Sequence, residues 1–216
     1  ALPLKGAPSA DRRSRIRDGT WEVTRQDPSM QSSISLKPDP RTQYVLRLAD
    51  TCLVWSHRLS EWCGHAPVLE EDIALANHAL DLLGQARALL TRAGQLEGQG
   101  FDEDQLAYLR DERDFVNVTL AELPNGTNGR GDFAFTVLRN FVLSSWALLM
   151  WQHLAPSRDA ELAAIAGKAV KEARYHREHA ADWVIRLGDG TEDSALRMQA
   201  ALDRLSREIS AVQHIT

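Results

Sequence analysis

Seven histidines and thirty carboxylates are the side chains of this chain best suited to holding a metal ion or moving a proton. A helix bundle that binds paired iron or manganese takes a Glu-x-x-His from each of two helices and a lone Glu from each of two others. That motif is absent here. The residues three places before the histidines are Val54, Trp62, Leu75, Met150, Ala173, His176 and Ala211, and none is a carboxylate. The sulfur chemistry is equally sparse. If Cys52 and Cys63 share one helix, eleven positions separate them by roughly 16 Å, too far for a disulfide. Two such thiols fit a reduced, cytoplasmic protein, in its core or at an interface, and offer no zinc-ligand pair.

The elements that must position these groups read as helices. The 216 residues suit one domain, and 44% hydrophobic with 25% charged content is ordinary for a globular protein. A net charge of -5 argues against a general nucleic-acid binder. No unbroken apolar run approaches the ~18 residues of a membrane span. The greasiest stretch, Phe141 to Trp151, is interrupted by Ser144 and Ser145. Residues 1–43 are rich in Arg, Asp, Ser and Pro and read as a disordered leader without the apolar centre of a secretory signal. Residue 1 is not Met, while Met30 opens a polar lead-in to the first helical pattern, so the segment before it is set aside from the fold.

From Tyr44 onward the apolar residues recur at three and four. The spacing predicts a first helix from Tyr44 to Cys63, using Val45, Leu46, Leu48, Ala49, Leu53, Leu59 and Trp62, capped by Gly64. A second runs from Leu69 to Leu96 on Ile73, Ala76, Leu80, Leu83, Leu90 and Ala93. A third spans Asp104 to Leu123 and ends at the turn Pro124-Asn-Gly126. A fourth covers Phe133 to Leu154, and a fifth, capped by Ser157 or Asp159, reaches Leu187. A sixth, capped by Thr191 or Asp193, closes the chain near Val212. With no β-type alternation and no internal repeat, the fold class is all-α, a long helical bundle over residues 44–216.

Two segments carry a family resemblance. Glu61-Trp-Cys-Gly-His-Ala-Pro67, followed by Asp72-Ile-Ala-Leu-Ala-Asn77 and Leu80-Asp-Leu-Leu-Gly-Gln-Ala-Arg87, resembles the C subunits of bacterial phenylacetyl-CoA epoxidases. Arg110-Asp-Glu-Arg-Asp-Phe115 with Asn117, Pro124-Asn-Gly126, and Lys171-Glu-Ala-Arg-Tyr-His176 with Trp183 extend it over about residues 44–205. The resemblance implies a ferritin-like bundle acting as a non-catalytic structural subunit in aerobic phenylacetate catabolism. It implies a hetero-oligomer with a homologous catalytic A subunit, through an interface of more than ~2,000 Å². That A subunit would carry the di-iron centre and the acyl-CoA, with other epoxidase components beside it and no cofactor in this chain.

Where the catalytic relative has Asp-Glu-x-Gly-His, this chain has Asp81-Leu-Leu-Gly-Gln85. Leu82 cannot ligate iron, Gln85 offers a neutral oxygen where an imidazole is needed, and Ala173 stands where His176 needs a carboxylate partner. These four are vestigial metal positions. Asp81, Glu172, His176 and Lys171 are the expected charge network in the old cavity, with Glu172 and His176 pairing at i,i+4. Asp81 lies in an apolar stripe and needs Arg87, Arg174 or Lys171 if buried; an exposed face is the alternative. His176 and His179 read as a helix-surface pair, Glu61 as a polar residue near a helix end, and Trp55, Trp62, Trp146, Trp151 and Trp183 as core or interface.

Family letters also make Asp114, Phe115, Val116 and Asn117 the expected contact with phenylacetyl-CoA, although Asp114 and Val116 depart from the family's residues; a solvated helix face is the alternative. The family's C subunits usually continue past the equivalent of Val212 with more helix, whereas this sequence ends at Thr216. Two other readings stay open: an oxygenase component binding metal through Glu172, His176, Asp81 and Glu61, and a stand-alone helical adaptor.

Overall fold

Asp39 starts the fold. Its carboxylate accepts from Arg41 N at 2.8 Å and Thr42 N at 3.4 Å, and Pro40 supplies a first helical residue with no N–H to satisfy. In this computed structural model, which describes residues 34, 36, 39–126 and 131–213, α1 therefore spans Pro40–Ser60. The expected leader lies mostly outside the described residues, but its last four are helical. Ile34 N donates to Leu109 O at 3.0 Å, and Ile34 and Leu36 pack on the core.

The other helices are α2 (Leu69–Glu97), α3 (Glu103–Tyr108), α4 (Thr119–Glu122), α5 (Phe133–Leu154), α6 (Ala160–Gly188) and α7 (Glu192–Gln213), with no strand among the described residues. Their ends follow local chemistry. Gly64, at φ +77°, gives its N–H to Asp72 at 2.7 Å and so ties the α1–α2 turn to the first turn of α2. Gly98 ends α2 in a left-handed conformation that a Cβ would strain. Asp132 caps α5, Asp159 caps α6, and Thr191 accepts from Ser194 N at the start of α7.

The expected third helix does not form as one element. Its sequence divides into α3, a 3₁₀ turn at Glu112–Asp114 and α4. The cause is a competing set of partners on α1. Arg110 turns inward to Asp50, Val116 N donates to Asp50 Oδ2 at 3.0 Å, and Val118 N donates to Thr51 Oγ1 at 3.1 Å. Backbone donors that a helix would satisfy internally are satisfied across the fold instead.

The long helices pair as α1 with α2 and α5 with α6; α2 also runs along α6, and α7 packs on both α5 and α6. The main core joins Leu46, Leu53, Trp55, Leu89, Leu143 and Trp151. A smaller cluster seats Met198 and Leu205 of α7 against Phe135 and Leu138. Trp55 Nε1 donates to Asn140 at 2.7 Å and Trp62 Nε1 to Thr136 at 3.2 Å, fixing α1 across the core from α5. Among the described residues α5 is the one helix long and apolar enough to cross a membrane. Most of that apolar window is buried in the bundle, together with Arg139, Asn140 and Ser144.

One face differs from expectation. Ile73, Leu80 and Leu83, predicted to line the core side of α2, point outward. The buried side is formed instead by Leu75, His78, Ala79, Leu82, Gln85, Ala86, Leu89, Leu90 and Ala93. Helix α2 has apolar residues on two faces, and Leu90 and Ala93 belong to the buried one.

Candidate functional site

The four positions expected to be vestigial metal ligands converge between α2 and α6. Leu82, Gln85, Ala173 and His176 are all buried, and Leu82 and Ala173 are part of the main core. Neither of those two carries a donor atom. Gln85 is engaged on both sides: Cys52 of α1 donates its thiol to Gln85 Oε1 at 3.6 Å, and Gln85 Nε2 donates to Glu172 Oε2 at 2.8 Å. Lys168 continues the chain to the surface, 3.4 Å from Glu172 Oε1. Burial, with the Glu172 charge adding to it, pushes the Cys52 thiol up to about 12, so it stays a protonated donor. The result is a polar chain through α1, α2 and α6, from a buried thiol to a solvated ammonium.

A second cluster lies on the same seam. His176 Nε2 sits 3.0 Å from Asp81 Oδ2. His179 Nε2 sits 3.0 Å from Glu71 Oε2, close enough for an ion pair, yet neither atom has a well-aligned hydrogen bond. His78 lies between them, its ring centroid 4.1 Å from that of His176 and 4.8 Å from that of His179. Burial first, then the neighbouring His176 and His179, pull His78 down to about 2, so it is neutral. Burial also lowers His176, outweighing the opposing effect of Asp81.

Several expectations are corrected here. His176 pairs with Asp81 and not with Glu172, because Gln85 and Lys168 occupy Glu172. Lys171 is exposed, and Lys168 holds the place expected for it. Asp81 is only partly buried; its partner is His176, while Arg87 pairs with Glu103 at 3.0 Å. His176 and His179 face α2, so they are no surface pair. Glu61 caps the end of α1 and bonds Arg58 and Asn125, apart from Asp81, Glu172 and His176. Lys168 was legible as an i,i+4 partner of Glu172; Cys52, Glu71 and His78 carried no comparable signal. Of the tryptophans, Trp55, Trp62 and Trp151 are buried, Trp183 is half-buried, and Trp146 is partly exposed.

The four residues expected at the acyl-CoA separate. Phe115 and Asn117 line a groove of about 580 Å³ with Val54, His57, Tyr108 and Arg113. Asp114 Oδ2 instead accepts from Asp111 N, and Val116 is tied to Asp50. Beneath them the Asp50 carboxylate and Arg110 guanidinium form a fully buried pair at 2.5 Å, with Arg110 lying 4.3 Å from the centroid of the Phe115 ring. This anchor sets the path of residues 110–118.

A further cluster organises the C-terminal end of α1. Three arginines from three helices hold successive carbonyls of one turn: Arg58 bonds Glu122 O, Arg139 bonds Leu123 O, and Arg204 bonds Pro124 O. Asn125 returns a bond to Arg58 O. The expected turn at Pro124-Asn-Gly126 is thus locked to α1, α5 and α7.

Among the described residues no three His, Cys, Asp or Glu side chains are arranged to hold a metal ion. Leu82 and Ala173, which carry no donor atom, and Gln85, committed to a thiol and a carboxylate, do not fit a di-iron centre. The class so defined is a ferritin-like helical bundle with a hydrogen-bonded polar chain running through α1, α2 and α6. A family model described as phenylacetic acid catabolic protein matches residues 27–212, and the chain belongs to that family. The C subunit of the 1,2-phenylacetyl-CoA epoxidase of Escherichia coli (strain K12) is 53% identical over 166 residues, which is 77% of this chain and 64% of that protein. The chain therefore spans less than two thirds of that relative's length.

Proposed function

We propose that this chain is the non-catalytic structural subunit of a cytoplasmic phenylacetyl-CoA 1,2-epoxidase, pairing with and stabilising a homologous di-iron A subunit in aerobic phenylacetate catabolism. The observation that carries the reading is the chain Cys52–Gln85–Glu172–Lys168, whose polar groups are committed to one another from the interior to the surface; on this reading it stands in place of paired metal ligands. The likeness to an epoxidase C subunit supports the assignment to such a complex. Iron, oxygen chemistry and reductase docking then belong to other components. This chain's contribution is preorganisation: helices bearing metal ligands that shift by ~1 Å lose affinity and rate. Any contact with the acyl-CoA would be made at the groove of Phe115 and Asn117, beside Arg113.

The test is elemental analysis of the chain purified alone under iron-replete conditions, followed by reconstitution with the A subunit. We expect well under one metal ion per chain, and epoxidation that requires the chain yet survives Gln85→Ala. Two iron ions per chain would overturn the reading and revive the atypical-ligand alternative.

A further inference from the structure

The outer face of α2 carries apolar side chains that the fold leaves uncovered. Leu69, Ile73, Ala76, Leu80 and Leu83 follow one another at intervals of four, three, four and three residues. The four large members are 71%, 54%, 64% and 44% exposed. Apolar residues exposed singly need no explanation, but this is a continuous stripe about 21 Å long. It presents on the order of 450 Å² of apolar surface, the size of the largest patch on a typical monomer and about half of one side of a standard interface. The opposite face of α2 is fully used, since it carries Leu82, Gln85 and His78 into the interior.

The alternation of four and three is a 3.5-residue period. That is the period of a helix seam that keeps facing another helix, whereas a straight helix seated on a broad core drifts off it. The occupant is therefore a helix. A second copy of α2 suits the stripe poorly. Antiparallel, the register that sets Ile73 against Leu83 and Ala76 against Leu80 puts Leu69 against Arg87, the next position of the same stripe. In parallel, Arg87 meets Arg87. Arg87 is held in place by Glu103 of α3 at 3.0 Å, while its guanidinium stays largely solvated.

We infer that the outer face of α2, from Leu69 to Arg87, is the docking seam for a helix of the partner subunit, one with apolar residues opposite Leu69, Ile73, Leu80 and Leu83 and a carboxylate opposite Arg87. The inference rests on the pairing proposed above and specifies its surface. A helix seated there lies ~10 Å from the axis of α2, so α2 stands between the partner and the Cys52–Gln85–Glu172 chain.

The experiment measures association of the full chain with the purified A subunit, by light scattering and titration calorimetry. It compares wild type, Leu80→Glu/Leu83→Glu, Arg87→Glu, and Leu202→Glu on the exposed side of α7 as control. The leucine positions are solvated, so circular dichroism and melting temperature of those variants should stay at wild-type values. Arg87→Glu also loses its bond to Glu103 and is compared at a temperature where circular dichroism shows it folded. Hydrogen exchange of wild type over residues 69–87, with and without partner, gives a reading independent of the variants. The double variant should lose at least 100-fold in affinity, Arg87→Glu about tenfold, Leu202→Glu little, and residues 69–87 should gain protection in the complex. Wild type and double variant binding equally, without that protection, would overturn the seam while leaving the pairing intact. No association of wild type would overturn the pairing and the seam together. Self-association of wild type that the double variant abolishes, with A-subunit binding unchanged, would assign the stripe to a second copy and overturn the choice of partner.

Discussion

Acidification should weaken this bundle well above the pH at which carboxylates titrate, and His78 is the reason. In the unfolded chain a histidine takes a proton near pH 6.5. In the fold, burial and the adjacent His176 and His179 hold His78 down to about 2. A base with a depressed folded pKa contributes its full stability above 6.5 and loses it as pH falls, because only the unfolded state binds the proton. The loss is ~1.4 kcal/mol per pH unit, so going from pH 7.5 to 5.0 costs about 2 kcal/mol from His78 alone. His176, lowered by burial in spite of Asp81, adds to it with the same sign. Asp39, Glu103 and Asp159 are held below their usual range by hydrogen bonds, so their effects fall at lower pH, outside this window. Urea unfolding at pH 7.5, 6.5, 5.5 and 5.0 for wild type and His78→Gln measures the slope directly. Wild type should lose about 2 kcal/mol or more over the range, and the variant about 2 kcal/mol less than wild type. Identical slopes would refute the claim that His78 is buried neutral.

Three further outcomes are expected. Asp50→Ala leaves the buried Arg110 guanidinium without its counter-ion and should destabilise by ~3–5 kcal/mol in urea unfolding, whereas replacing Asp50 and Arg110 together by Leu and Met should cost markedly less. Gln85→Glu sets two carboxylates against each other where Gln85 now donates to Glu172; it should cost ~2–3 kcal/mol at pH 7.5, with the difference from wild type narrowing toward pH 5 as one of them takes a proton. Gly94→Ala drives a Cβ into the Phe101 carbonyl and should cost ~1–3 kcal/mol, read as a lowered melting temperature.

The helices that rest on local chemistry were legible in the sequence. Phe133–Leu154 is bounded as predicted because an Asp cap precedes it and Pro156 follows it. The fifth and sixth helices start where Asp159 and Thr191 supply cap oxygens. Cooperation at long range was not legible. Residues 110–118 have helix-compatible letters, yet Asp50 and Thr51, more than sixty positions earlier, take their backbone donors. Nothing local distinguishes the two outcomes. The stripe on α2 was misassigned for a related reason. Periodicity reports that an apolar face exists, and when a helix has two such faces it does not say which one meets its own core.

The site divides along the same line. That Leu82 and Ala173 cannot bind metal follows from side-chain type alone, and so it was readable at once. Which groups would fill the space depends on three helices meeting, and there the expected partners were wrong: Lys168 for Lys171, Asp81 for Glu172 at His176, and Cys52 not anticipated at all. A buried carboxylate without a metal must find a donor. Leu82 and Ala173 bring no carboxylate to the seam, and Glu172 takes the Gln85 amide and the Lys168 ammonium. Glu71 Oε2, His78 Nε2 and His179 Nε2 remain as buried polar atoms without a hydrogen bond, on the α2–α6 seam beneath the exposed stripe. Buried polar atoms are almost always satisfied, so this is where the seam carries its unrelieved cost. A partner helix bearing on α2 would act on the element that holds two of these residues, Glu71 and His78. On the proposed reading, docking should therefore change the acid sensitivity that His78 sets. The midpoint of acid unfolding, compared with and without the A subunit in wild type and in His78→Gln, should shift more in wild type; equal shifts would sever the stripe from the polar seam beneath it.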